Sequence, residues 1–170
     1  SAASDVYKRQ NIIKGKTAEL FSAACKSGAI ISTNDSNEIT ALEKFGKELG
    51  ISYQLVDDAL DYQSENKSFD KSIGDDFKDG KISYPIIISW ENSKTEEKNF
   101  WKGVIVEQKQ TASDFSKAKA LINKHQGIKK TYELASLHAE KAINALSIFE
   151  NSNIKESLIE VANMSLSRLN

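Results

Sequence analysis

The sequence predicts an all-α protein, and three observations carry that expectation. Proline occurs once, at Pro85, and glycine eight times in 170 residues, so helix breakers are scarce. Apolar residues recur at spacings of three and four between charged positions, the period of a helix with one buried face. Clusters of Ser, Thr, Asn, Asp and Gly fall between these periodic stretches, where caps and turns belong.

Taken in order, the first ten residues, SAASDVYKRQ, share no pattern with the rest of the chain and read as a non-native leader ahead of residues 11–170. A first helix is expected through AELFSAACKSGAII, with Leu20, Phe21 and Ala24 at helical spacing and Cys25 as a small buried residue. STNDSNEI supplies a turn and an N-cap. Leu42, Phe45, Leu49, Val56 and Leu60 then mark a second helix, and SENKSFDKSIGDDFKDGK reads as a polar loop. ISYPIIISW is rich in β-branched residues and by propensity alone suits a buried strand. A lone strand would have no partner, however, and proline suits a first helical turn, so a helix is expected. Residues 95–108, 112–124, 128–149 and 154–168 read as further helices, broken at Gly127 and at ENSN, residues 150–153.

Composition excludes several function classes. With 39% hydrophobic and 28% charged residues and a formal net charge of -1, the chain is neither disordered in character nor basic enough for nucleic acid. A single cysteine allows no internal disulfide. The longest apolar run, YPIIISW, falls well short of the ~20 residues that span a bilayer, and no charged-then-apolar signal opens the chain. The expected compartment is the cytoplasm.

One helix is charged in an unusual way. Gln54, Asp57, Asp58 and Asp61 fall at i, i+3, i+4 and i+7 and share a face, while Leu49, Val56 and Leu60 lie on another. Like charges at that spacing cost a helix roughly 0.2–0.5 kcal/mol per pair, which a bound cation would more than offset. Magnesium takes one or two carboxylates together with waters and substrate phosphates. Lys16 with Thr17, and Lys71 and Lys81 in the loop, are suited to the oxygens of a diphosphate that the metal does not reach. A solvated acidic face is the plain alternative. His125 and His138 have no partners at metal spacing and read as surface or structural residues. Trp90, Phe100 and Trp101 read as core or subunit interface.

Three stretches, GKTAELFSAACKSGAI, LGISYQLVDDALDY and KSIGDDFKDGKISYPIII, stand in the order and approximate spacing of the C-terminal half of trans-isoprenyl diphosphate synthases. The chain most resembles the long-chain octaprenyl or decaprenyl branch, which makes quinone side chains. The resemblance runs from Asn11 onward and is strongest between Lys16 and Ile88. It implies the C-terminal part of the isoprenoid synthase helical fold, with helices around a deep cavity and two aspartate-rich motifs across its mouth. It also implies a prenyltransferase that uses Mg2+ to join an allylic prenyl diphosphate head-to-tail to isopentenyl diphosphate. In that reaction the carbon–oxygen bond to the leaving diphosphate breaks and a positioned double bond attacks, with no protein nucleophile.

Residue by residue, Asp57, Asp58 and Asp61 match the second aspartate motif and form the implied metal set, Asp57 and Asp61 directly and Asp58 outer-sphere or through water. Lys16 and Thr17 match the Lys-Thr pair at the allylic diphosphate, and Gln54 matches the polar residue one turn before the aspartates. These three are the implied catalytic and substrate-binding residues. Lys71 and Lys81 match the loop lysines around the diphosphate, and Asp75 and Asp76 are expected to order that loop and pair with lysines. The chain has Asp70 where the family usually has glycine, and GKISYP where GKxTLP is common.

The family's first aspartate motif, its isopentenyl-binding residues and its product-length residues precede this region and are not found here. The polypeptide alone is therefore expected to be inactive, and the full-length enzyme to be a homodimer. Two other readings stay open. The intact DDxxD argues against a terpene cyclase-like enzyme of the same fold, and equally against a non-catalytic partner subunit of a heteromeric synthase.

Overall fold

The computed structural model describes residues 2–63, 74–111 and 113–167, with side chains from Thr17 onward. Among the described residues there are eight α-helices and no strand. They are α1 (Ala2–Ser32), α2 (Ser36–Leu60), α3 (Asp75–Lys78), α4 (Tyr84–Asn92), α5 (Thr95–Trp101), α6 (Asp114–Lys124), α7 (Gly127–Ala145) and α8 (Asn153–Ser167). The all-α expectation therefore holds. Residues 2–10, expected to be a leader, fall within α1.

The caps follow the sequence. The Asn37 N–H donates to Asp35 Oδ1 at 2.7 Å, so STNDSNEI ends one helix and caps the next. Ser152 does the same for α8, accepting the Lys155 N–H at 3.2 Å. ISYPIIISW is helical from Tyr84 onward, as expected: Pro85 sits in the first turn of α4, where its missing N–H costs nothing, and Ile86, Ile87 and Ile88 are buried.

The polar loop expected at SENKSFDKSIGDDFKDGK contains α3 with Phe77 buried, and its residues 64–73 lie outside the described residues. Three further expectations need correction. Residues 95–108 are not one α-helix: α5 ends at Trp101 and a π-helical turn follows at Lys102–Val106, closed by the Glu107 N–H donating to the Lys102 carbonyl five residues back. Gln108, at φ 52, then turns the chain away. Gly127 starts α7 rather than breaking it. The left-handed position is Gln126 at φ 57, and glycine is needed at 127 because a Cβ there would stand 2.7 Å from the Pro85 carbonyl oxygen. Leu20 and Ala24 are exposed, Leu20 at 69%. The buried side of α1 is instead the small-residue face of Ala18, Ser22 and Ala29, with Phe21 and Cys25 half-buried beside it. Gly46 and Gly50 of α2 explain that choice. Added Cβ atoms would collide with the Phe21 carbonyl oxygen and come within 2.7 Å of the Ala18 Cα, so the two backbones meet directly.

The described helices divide into two compact units. One comprises Ser1–Asn11 and Asp57–Tyr132. Its core includes Tyr62, Phe77, Ile86, Trp101 and Ile122, with Trp90 and Phe100 packed against it and α4 lying on α5 and α6. The tryptophans and Phe100 thus belong to a core. The other unit comprises Ile12–Val56 and Glu133–Asn170, around Phe45, Leu49, Ala142, Leu146 and Ala162. Cys25 packs against this second core, and burial raises its thiol pKa. Ser52 of α2 donates to the Ala135 carbonyl of α7 at 2.9 Å, which leaves the buried hydroxyl satisfied. Among the described residues no helix is long and apolar enough to cross a membrane.

Candidate functional site

The aspartate row lies where α2 gives way to a turn. Asp57 and Asp58 occupy the last helical turn, and Asp61 follows Leu60 with its N–H still donating to the Asp57 carbonyl at 3.4 Å, so the helical spacing persists through it. Asp57 and Asp61 are partly exposed, whereas Asp58 is buried at 7%. The Asp58 Oδ2 accepts the Tyr84 N–H of α4 at 2.9 Å.

Asp61 is tied to the segment that starts at Gly74. Its Oδ2 accepts the Asp76 N–H at 3.2 Å, and its carbonyl accepts the Gly74 N–H, also at 3.2 Å. Gly74 makes this turn at φ 84, a conformation suited to glycine. Burial lifts the Asp61 carboxyl to a pKa of about 6, and the charge of Asp76 adds to that lift. The backbone N–H of Asp76 pulls the other way without cancelling it.

Beyond α3 the chain carries Lys81. Its Nζ lies 2.6 Å from Asp76 Oδ1 and 3.6 Å from Asp79 Oδ2, and the hydrogen bond to Asp76 raises its pKa. The Lys81 N–H donates to the Asp76 carbonyl at 2.8 Å. Asp75 pairs with Lys78 at 3.3 Å. Asp75 and Asp76 therefore pair with lysines, as the sequence led us to expect. Gln110, which carries no motif, donates from Nε2 to both the Phe77 and Val104 carbonyls at 2.8 and 2.9 Å, tying α3 to the π-helical turn. A lone glutamine in a polar connection gives no sequence signal of such a role.

In the other unit, Thr17 of α1 donates from Oγ1 to Gln54 Oε1 of α2 at 2.9 Å, so two of the expected substrate-binding residues meet. Lys16 lies on α1, but its side chain is outside the described residues, as is the whole of Lys71.

Both histidines have carboxylate partners that no local pattern announces. His138 Nδ1 lies 2.6 Å from Glu48 Oε2, and His125 Nε2 lies 3.1 Å from Glu97 Oε2. Glu97 also receives Lys124 Nζ at 2.6 Å and the Lys94 N–H at 3.0 Å. Those donors, Lys124 first, hold its carboxyl down at a pKa of about 2.

The donor set around Asp57 and Asp61 fits a hard divalent cation. It offers carboxylate oxygens, and the Asp61 carboxyl, raised first by burial and then by the charges of Asp76 and Asp75, is one that a bound cation would return to its ionised form. Among the described residues no three His, Cys, Asp or Glu side chains converge to form a complete metal cage. A chain contributing one or two carboxylates matches magnesium, which completes its sphere with water and phosphate oxygens.

The model of the family described as "Polyprenyl synthetase" matches residues 2–122. The chain belongs to the polyprenyl synthetase family. A probable mitochondrial hexaprenyl pyrophosphate synthase of Neurospora crassa is 36% identical over 154 residues, which are 90% of this chain and 33% of that protein. A polyprenyl synthase of Caulobacter crescentus, solved with calcium and isoprenyl diphosphate, superposes with a TM-score of 0.85 at 38% identity, covering 94% of this chain and 48% of that one. A decaprenyl diphosphate synthase of Rhodobacter capsulatus superposes with a TM-score of 0.86 at 34% identity, covering 94% and 49%. The chain thus spans a third to a half of the length of these polyprenyl synthetases, and its helices follow the isoprenoid synthase fold.

Proposed function

We propose that this chain is part of a long-chain polyprenyl diphosphate synthase that joins an allylic prenyl diphosphate head-to-tail to isopentenyl diphosphate with Mg2+, supplying quinone side chains. The observation that carries the reading is the pairing of Asp57 and Asp61 on one helical edge with a Lys81 segment fastened to Asp61 by backbone hydrogen bonds. Carboxylates for a metal and a lysine for phosphate oxygens are thereby held on one short stretch of chain. The calcium and isoprenyl diphosphate of the Caulobacter structure belong to that protein, and they make the same ligand class a reasonable one to test here.

In this reading Asp57 and Asp61 hold the metal, which when bound draws charge from the leaving diphosphate. Lys81 and Lys71 neutralise the remaining diphosphate oxygens. Lys16 and Thr17 contact the allylic diphosphate, and Gln54 orients Thr17 through the hydrogen bond between them. No side chain is required as a nucleophile, so the chain's work is positioning and charge compensation. A homodimeric full-length enzyme is the proposed assembly, with residues 11–170 as the C-terminal portion of the synthase domain. The cytoplasm is the proposed compartment on composition alone, although the Neurospora relative carries a mitochondrial name.

Two measurements test the reading. Calorimetric titration of the chain with inorganic pyrophosphate is expected to show binding with magnesium and none without it. In the complete enzyme, Asp57→Ala is expected to lower incorporation of radiolabelled isopentenyl diphosphate by about a hundredfold or more with helix content unchanged. Near-normal turnover in that variant refutes the assignment.

A further inference from the structure

We infer that Asp58 is a positioning residue rather than a metal ligand: its carboxylate caps α4 from a neighbouring helix and thereby fixes where Lys81 stands against Asp57 and Asp61. This rests on the functional reading above and divides the aspartate row into two jobs. On a helix, successive residues point about 100° apart, so Asp58 diverges from Asp57, whereas Asp61 returns to within about 40° of it. Burial follows that geometry, with Asp58 at 7% exposure and its two neighbours in the row partly exposed.

The start of α4 needs such a cap. A helix leaves its first N–H groups without intrahelical partners, and the residue before it normally supplies a side-chain acceptor. Ser83 occupies that position but makes no side-chain cap. Its hydroxyl donates instead to the Tyr62 phenol oxygen at 3.3 Å. Pro85 has no N–H. The Tyr84 N–H is one of the donors that remain, and Asp58 Oδ2 accepts it at 2.9 Å from 26 residues away.

The segment from Gly74 to Tyr84 is therefore fastened to the end of α2 at both of its own ends. Asp61 holds Gly74 and Asp76 at one, and Asp58 holds Tyr84 at the other. Lys81 lies between these anchors and is itself bonded back to Asp76 through its N–H and its Nζ. Releasing the Tyr84 anchor frees the Lys81 side of the segment while leaving the metal-facing carboxylates chemically intact. To hold the Tyr84 N–H, Asp58 must supply an acceptor oxygen, and asparagine also supplies one.

The test compares Asp58→Asn, Asp58→Ala and Asp57→Asn in the 170-residue chain, reading hydrogen exchange at the Tyr84 amide by NMR and magnesium-dependent affinity for inorganic pyrophosphate by calorimetry. Asp58→Asn is expected to keep both within about threefold of the unsubstituted chain. Asp58→Ala is expected to speed Tyr84 exchange and weaken pyrophosphate binding, each by about tenfold. Asp57→Asn is expected to weaken binding while leaving Tyr84 exchange unchanged. The inference is overturned if Asp58→Asn loses binding as Asp57→Asn does with Tyr84 still protected, which is the behaviour of a metal ligand. It is overturned equally if Asp58→Ala leaves Tyr84 protected. Should Asp58→Ala not fold, the Asn variants decide the question. If the unsubstituted chain binds no pyrophosphate, the functional reading fails, and the Tyr84 exchange rates alone decide whether Asp58 holds α4.

Discussion

Glu97 and Asp61 belong to the same compact unit, and their surroundings drive them in opposite directions. Glu97 is met by donors from its own chain, with Lys124, His125 and the Lys94 N–H on its two oxygens, and its pKa falls to about 2. Asp61 is half-buried beside the carboxylates of Asp76 and Asp75 and receives the Asp76 N–H, and burial first, then those charges, raise its pKa to about 6. A carboxylate whose charge is fully answered by its neighbours holds a structure together. One whose ionised form is disfavoured by burial and by neighbouring carboxylates gains more from a cation supplied from solution.

The largest expected effect separates the two directly. Asp61→Ala is expected to weaken magnesium-dependent pyrophosphate binding by about a hundredfold, whereas Glu97→Ala, which shares no partner with that segment among the described residues, leaves it within about twofold. Equal losses in calorimetric titration would erase the distinction. Lys81→Ala is expected to cost about tenfold in the same affinity, the scale of one charge-assisted hydrogen bond, with little change in melting temperature because the ion pair is half exposed.

Glu97→Gln probes stability alone. Because the folded pKa is depressed from 4.5 to about 2, the contribution is complete above pH 4.5 and disappears as pH falls through about 2. Urea midpoints of the two proteins should differ at pH 7 and converge below pH 4.5, and a constant gap would contradict the pairing. A purely local effect is expected at Gly80, whose φ of 64 is strained for any side chain and whose Cβ would meet the Gln108 amide at 2.9 Å. Gly80→Ala is expected to cost about 1–2 kcal/mol in the same urea experiment.

Which parts of this were legible in the sequence depended on distance along the chain. Periodicity and caps act within one or two turns, so α2, α6 and α8 could be read from their own residues, whereas α4, whose β-branched run suits a strand, was read as helix only because a lone strand would have no partner; the spacing of Asp57, Asp58 and Asp61 put them on one helix. The π-helical turn after Trp101 was not legible, because the same apolar spacing at Val104 and Ile105 serves an α-helix equally well. Leu20 misled for a different reason. Hydrophobicity pointed it inward, but close backbone packing at Gly46 and Gly50 selected the small face of α1. The partners that fasten the helices to one another lie far off in sequence. Tyr84 stands 26 residues from Asp58, Glu97 stands 28 from His125, and Glu48 stands 90 from His138. No local pattern encodes such meetings, which are settled only when the helices pack.

The two glycines of α2 carry a consequence for how this protein can vary. Thr17 sits one position before Ala18 on α1, and Gln54 sits one turn after Gly50 on α2, so their 2.9 Å contact exists only while the helices touch at the crossing between them. A single methyl group at residue 46 or 50 acts there as a wedge, because the atoms nearest to it belong to the α1 backbone and cannot swing aside. Mutational drift on α2 is thus frozen at two positions that contribute no chemistry of their own.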